Sequence, residues 1–251
     1  MMNLKDKKII IFDLDGTLTE SKQDLDPEMA ELLVKLMASH IVAVIGGGSY
    51  GQFTRQFLAH LPHKPDFLKN LFIFPTSGTI SYAFKDGAWK EIYSYPLDLA
   101  QRRRIFYVLS SVEKALSIHE EKTYGDKIED RLTQITYSAL GQEAPLDVKK
   151  GWDPDEAKRK RIVDFITPLL PGLSIRIGGM TSIDITKKGI DKAYGIKEIE
   201  RELKTPIVDM VFIGDAFFEG GNDYPAISTG IDCIAVKNVT ETKEKIREIT
   251  A

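Results

Sequence analysis

The stretch Lys8-Ile9-Ile10-Ile11-Phe12-Asp13-Leu14-Asp15-Gly16-Thr17-Leu18-Thr19 passes directly from a continuous apolar run to a pair of carboxylates. The run is rich in β-branched residues and shows no polar alternation. Such a run reads as a strand buried on both faces, hence part of a parallel sheet. In an open α/β sheet, ligands bind beyond the carboxyl ends of the strands. Asp13 and Asp15 stand just past such an end, two residues apart. There they can lie beside one cation and one reacting phosphorus. Gly16 permits the tight turn that aims them.

Working outward, the segment 24–39 carries Pro27 near a helix start and Met29, Leu32, Leu33, Leu36 and Met37 at helical spacing. A second buried strand, Ile41 to Ile45, ends in Gly46-Gly47-Gly48-Ser49. Gln52 to Leu61 reads as a helix and Leu71 to Phe74 as a third strand. Thr79 to Tyr95 reads as a hairpin around Lys85-Asp86-Gly87. From there strands and helices mix without regular alternation. Ala100–Ala115 and Pro154–Ile166 read as helices, Leu132–Leu140 and Leu173–Ile177 as strands. The alternating pattern then returns with a helix over Asp191–Leu203, a buried strand Met210–Ile213, a strand Ile231–Val236 and a closing helix Thr240–Ile249. The expected architecture is an α/β core with a parallel sheet, split into 1–92 and 186–251 by an inserted α+β unit over 93–185.

Composition narrows the function. The 251 residues include 34 Lys plus Arg and 37 Asp plus Glu, a net charge of −3. No cation excess exists to neutralise phosphates, so a general nucleic-acid binder is not expected. The single Cys233 cannot form an internal disulfide or a thiolate cluster and reads as a buried small hydrophobe. The apolar run before Asp13 is too short for a signal-peptide core, and no run approaches the roughly 20 residues needed to span a bilayer. No membrane association and a cytoplasmic location are expected.

A second acidic string, Phe212-Ile213-Gly214-Asp215-Ala216-Phe217-Phe218-Glu219-Gly220-Gly221-Asn222-Asp223, again follows a buried strand. Asp215 can join Asp13 on Mg²⁺, which prefers carboxylate and water oxygens. Asn222 and Asp223 stand one loop further on as ligands or their supports. A carboxylate nucleophile splits phosphoryl transfer into two easier steps, and the charge on the transferring group needs an electrostatic clamp. The stretch Gly46-x-Gly48-x-x-Gly51 matches a dinucleotide fingerprint, but no acid ends a following strand at the right distance, since Asp66 precedes Phe67-Leu68. The four histidines, His40, His60, His63 and His119, lack ligand spacing and read as surface or helix-end residues.

The string Asp13 to Thr19 resembles the first motif of the haloacid dehalogenase superfamily, and the Asp215 to Asp223 string resembles its fourth. The form of the latter, the hairpin over 80–93, Gly178 to Asp184 and Gly189 to Tyr194 are similar to the α-phosphomannomutase family. The resemblance implies a core with a cap of the type found in sugar-phosphate members and an active site between them. It implies Asp13 as nucleophile through an aspartyl-phosphate and Asp15 as acid and base. Lys192, three residues after Gly189 at a helix start, and Ser49 with Gly48 would hold the phosphoryl group. Asp13, the Asp15 carbonyl, Asp215, Asn222 and Asp223 would serve Mg²⁺. In the cap it implies Arg131, Ser182 and Asp184 as substrate contacts, with Arg176 a further candidate, and a homodimer through the cap. Lys187 and Lys188 read as solvated turn residues, and Arg102-Arg103-Arg104 as the solvated face of a cap helix.

One departure bears on the reaction. Where the mutases carry a second arginine, this chain has Gln142. A mutase must grip phosphate at both ends of a bisphosphate, and losing a bidentate guanidinium weakens that grip. The expected function is therefore Mg²⁺-dependent hydrolysis of a small phosphorylated metabolite, a sugar phosphate. Interconversion of hexose 6- and 1-phosphates is the alternative, and a non-catalytic sugar-phosphate sensor the remote one.

Overall fold

The computed structural model describes residues 4–21, 23–118, 120 and 122–251. Within it the first apolar run forms β1 (Ile9–Asp13), buried along its whole length. Its side chains alternate between two apolar clusters: Ile10 and Phe12 face one, Ile9 and Ile11 the other. That double burial is why the run shows no polar alternation. Each such isoleucine stabilises the fold by about 1.5–3 kcal/mol.

The first core segment continues through α1 (Pro27–Met37), β2 (Ile41–Ile45), α2 (Tyr50–Gln56), α3 (Pro65–Leu68), β3 (Leu71–Phe74), the tight turn α4 (Pro75–Gly78), β4 (Ile80–Lys85) and β5 (Ala88–Ser94). Asp26 starts α1 by accepting a hydrogen bond from the Met29 amide at 3.1 Å, with Pro27 in the first helical position. The inserted segment comprises α5 (Leu99–Leu116), β6 (Ile128–Asp130), β7 (Gln134–Ser138), α6 (Leu146–Trp152), α7 (Ala157–Ile166), β8 (Leu173–Ile177) and β9 (Ser182–Lys187). The chain then adds α8 (Lys192–Leu203), β10 (Met210–Gly214), β11 (Asp232–Ala235) and α9 (Val239–Thr250).

The core sheet has the order β11-β10-β1-β2-β3-β4-β5. Its first five strands are parallel, and the β4–β5 hairpin extends it antiparallel from β3. Helices α1 and α9 pack on one face and α8 on the other. Cys233 lies in the outermost strand, β11, and is half-buried rather than fully enclosed, because an edge strand has a neighbour on one side only. Among the described residues no helix is long and apolar enough to cross a membrane.

Two compact units result: residues up to Ser94 together with Ile190–Ala251, and Tyr95–Gly189. The second extends past the expected 93–185 because β9 continues to Lys187 before the chain turns. Its sheet, β6-β7-β9-β8, is antiparallel throughout. Ile135, Tyr137, Ile183 and Ile185 pack against α5 and α7, as period-two alternation requires. The other face carries Gln134, Thr136, Ser138, Ser182, Asp184 and Thr186.

The arginine run of α5 is not a purely solvated face. Arg102 donates through Nε to Asp130 Oδ2 at 2.8 Å, and Arg104 Nε donates to the Leu169 carbonyl at 2.9 Å. These two tie the helix to its sheet and to the end of α7's connection, while Arg103 and Arg104 are themselves exposed. His40 follows α1, is buried, and sits with Nδ1 at 2.8 Å from Ser39 Oγ. His119 lies outside the described residues.

Candidate active site

Three neighbouring parallel strands, β10, β1 and β2, end together and present Asp215, Asp13 and the Ile45 carbonyl. Asp13 is the last residue of β1 and is buried. Asp191 starts α8 by accepting from the Tyr194 amide at 3.0 Å, and this places Lys192 in the first turn. The Lys192 ammonium, also buried, pairs with Asp13 Oδ1, lies 3.0 Å from Asp223 Oδ1 and donates to the Ile45 carbonyl at 3.2 Å. Asp223 is fixed from its other oxygen, which accepts from the Ala216 amide at 3.1 Å. Thr17, within the first motif, donates to Asp215 Oδ1 at 3.4 Å.

Asp13, Asp215 and Asp223 each offer one oxygen, and these lie within 4.8 Å of one another. Burial pushes the Asp13 carboxyl well above the ordinary aspartate range; Lys192 opposes the rise, and Asp223 and Asp15 add to it. Asp215 is raised by burial and by Asp223. For Lys192 burial acts downward, but the attraction of Asp13 and Asp223 outweighs it and holds the ammonium form. When all three are ionised, the one ammonium leaves two negative charges uncompensated, the charge of one divalent cation. Asp13 Oδ2 is buried and accepts no hydrogen bond. An orphaned carboxylate oxygen among two further acids fits a hard cation, and buried polar atoms are otherwise almost always paired.

The Asp15 carboxylate does not join this cluster. Its Oδ2 accepts from Gln52 Nε2 at 3.2 Å and its Oδ1 from Gln56 Nε2 at 2.8 Å. Both glutamines project from α2, one turn apart. They are functional candidates that the sequence reading missed. Their i, i+4 spacing on the helix following Ser49 was the available signal. Gly48 and Ser49 shape this helix start: Ser49 Oγ accepts from the Gln52 amide at 3.3 Å, and a Cβ at Gly48 would stand 2.6 Å from Gln52 Oε1. Ser49 is therefore engaged as a helix cap. Asn222 is exposed in the β10–β11 connection.

The loop Gly46–Gly48 is held from below by a strained turn. Thr76 and Ser77, right after β3, have φ of 49° and 56°. Their amides donate to Gly48 O at 3.0 Å and Gly46 O at 2.9 Å. Non-glycine residues in the left-handed region cost of order 1–3 kcal/mol each and persist where their surroundings enforce them.

In the second unit, Asp184 accepts from Thr136 Oγ1 at 2.7 Å and stands opposite Arg176 in the β8–β9 register. Ser182 stands opposite Ser138. Arg131, in the β6–β7 turn, bonds Glu129 Oε2 at 2.6 Å. Gln142 follows β7, and its Nε2 is buried and bonded to nothing. Lys187 is half-buried and Lys188 exposed.

Comparison with known proteins bears on both units. Residues 10–251 match the model of a family described as haloacid dehalogenase-like hydrolase. A phosphomannomutase of Spinacia oleracea is 27% identical over 228 residues, covering 89% of this chain and 87% of that protein. Phosphomannomutase 1 of Homo sapiens is 26% identical over 226 residues, covering 88% and 83%. A solved haloacid dehalogenase-like hydrolase from Bacteroides thetaiotaomicron superposes with a TM-score of 0.64 at 16% identity, covering 96% of this chain and 92% of that one.

Proposed function

The chain belongs to the haloacid dehalogenase-like hydrolases, and from that premise we propose that it is a phosphohexomutase acting through an aspartyl-phosphate on Asp13. The observation that carries the reading is the unpartnered Asp13 Oδ2 inside the Lys192, Asp215 and Asp223 cluster. A carboxylate so placed is a nucleophile with one counter-charge, the Lys192 ammonium, already paired to its other oxygen. The phosphomannomutase relatives, spanning nearly the whole chain, support transfer between positions of a hexose over release to water.

Asp13 attacks the phosphorus, and its bond to the sugar oxygen breaks. Asp15 gives that oxygen its proton, then takes a proton from the acceptor hydroxyl in the reverse half. Lys192 holds the phosphoryl oxygens and offsets their charge against Asp13. A Mg²⁺ ion held by Asp13, Asp215 and Asp223 would supply further stabilisation of the charge on the transferring group. Arg131, Arg176, Ser182 and Asp184 are assigned to the sugar and its second phosphate.

Hydrolysis is the second reading, and Gln142 favours it: a neutral carboxamide stands where the resemblance calls for a guanidinium. One experiment separates the two. With Mg²⁺, hexose 1-phosphate and a catalytic amount of hexose bisphosphate, a mutase yields the 6-phosphate without net phosphate release. Phosphate release without isomer selects hydrolysis. In either case Asp13→Asn is expected to abolish turnover while leaving the circular dichroism spectrum intact; undiminished activity would sink the mechanism.

A further inference from the structure

Asp15 sits in a closed circuit of side-chain hydrogen bonds with Gln52 and Gln56. Gln56 Nε2 donates to Asp15 Oδ1 at 2.8 Å and to Thr19 Oγ1 at 2.6 Å. Gln52 Nε2 donates to Asp15 Oδ2 at 3.2 Å and to Gln56 Oε1 at 2.9 Å. Thr19 Oγ1 lies 3.4 Å from the Leu14 carbonyl and can give it its own proton, so it accepts from Gln56. That direction fixes which end of the Gln56 carboxamide faces Asp15. Both protons of each amide are used.

Gln56 is almost fully buried. Burying a carboxamide costs free energy that only its hydrogen bonds offset, and an apolar side chain would fill the same space without that cost. The circuit ends on one carboxylate. A carboxylate oxygen has two lone pairs, and the amides occupy one on each. The two amides thus set the plane of the Asp15 carboxylate.

We propose that Gln52 and Gln56 are positioning residues that aim the Asp15 carboxyl in the proton transfers of the reaction. This rests on the functional reading above. In the first half-reaction the Asp13 oxygen bonds phosphorus, the ester P–O bond breaks, and the departing oxygen takes the Asp15 proton. The need for that proton depends on the leaving group. A sugar alkoxide needs it, whereas p-nitrophenolate leaves without it. A clamp that aims Asp15 therefore matters for one ester and not the other, while a merely structural pair matters equally for both.

The test is a rapid-quench measurement of the first turnover with Mg²⁺ on the full chain, comparing wild type with Gln56→Leu and Gln52→Leu. The substrates are a hexose phosphate and p-nitrophenyl phosphate. The expected result is a first-turnover rate reduced about 10-fold or more on the hexose phosphate, with under threefold change on the aryl ester and an unchanged KM for both. Equal reductions on the two esters, or none on either, overturn the proposal. If Gln56→Leu does not fold, Gln52→Leu decides by the same criterion, since Gln52 is only half-buried. Wild type that forms no hydroxylamine-sensitive phosphoprotein overturns the aspartyl-phosphate reading and the clamp with it. A phosphoprotein with no difference between esters overturns the clamp alone.

Discussion

Gly16 is the floor under Asp215: a Cβ at position 16 would stand 2.5 Å from Asp215 Oδ2. The two acidic motifs, from opposite ends of the chain, thus meet through the absence of one side chain. Gly16 also has φ of +88°, a conformation closed to most L-residues.

Gly16→Ala accordingly meets two costs, backbone strain of about 1–2 kcal/mol and a displaced Asp215. The expected outcome is a folded protein with lowered melting temperature and activity reduced at least about 100-fold. Misplacement of a reacting group by an ångström has that effect. Steady-state kinetics beside a thermal melt checks it. An active Gly16→Ala enzyme would show that Asp215 has room to move.

Lys192→Met leaves Asp13 and Asp223 buried without their cation. Breaking a buried pair by removing one partner costs about 3–5 kcal/mol. The added twist is the response to Mg²⁺. With the ammonium gone, the metal is the remaining source of positive charge for the three acids. The Mg²⁺-induced rise in melting temperature is expected to be larger in Lys192→Met than in wild type. Melts with and without the ion measure it, and an equal or smaller rise would contradict the charge balance drawn here.

Asp153 gives a pH dependence independent of the active site. It is buried, and Arg159 Nε donates to its Oδ2 at 2.8 Å, with the Lys158 and Arg159 amides donating as well. Burial alone would raise its pKa, but these donors outweigh it and hold the carboxyl below its ordinary value. A folded pKa below the unfolded one means the unfolded chain binds more protons in between. The stabilisation is therefore present above about pH 4 and is lost as pH falls through the folded value. Asp153→Asn is expected to lower stability by about 3–5 kcal/mol at pH 7 and to flatten the acid limb of a stability profile. A wild-type profile unchanged in slope by the substitution would refute this assignment.

The sequence made the core legible because its strands are buried on both faces and each ends in chemistry. Ile9 to Phe12 followed by Asp13, and Met210 to Ile213 followed by Gly214-Asp215, combine two independent signals. Lys192 needed a family pattern, since three lysines stand within six residues and only α8's start selects one. The Asp15 clamp was hidden because glutamine is an ordinary helix residue, and i, i+4 spacing marks a shared face without saying what it meets. The Thr76–Ser77 turn was hidden for the opposite reason: neither residue advertises a left-handed backbone. In the inserted unit, Ser182-Ile183-Asp184-Ile185-Thr186 alternates as a strand should. Read only as a motif, it gave no strand, and β6, at three residues, was too short to give a period.

The position of β1 between β2 and β10 has a consequence for biosynthesis. Asp13 and Lys192 are separated by 179 positions in the chain, and β10 is made later still. At about 5–20 residues per second, the ribosome needs roughly 10–40 seconds to carry the nascent chain from the end of β1 to the end of β10. Throughout that interval a strand buried along its whole length in the finished fold has one unpaired edge, a template for adhesion to other chains. The inserted unit, by contrast, is complete once β9 has emerged. The inserted unit is thus synthesised whole before β10 can pair with the open edge of β1.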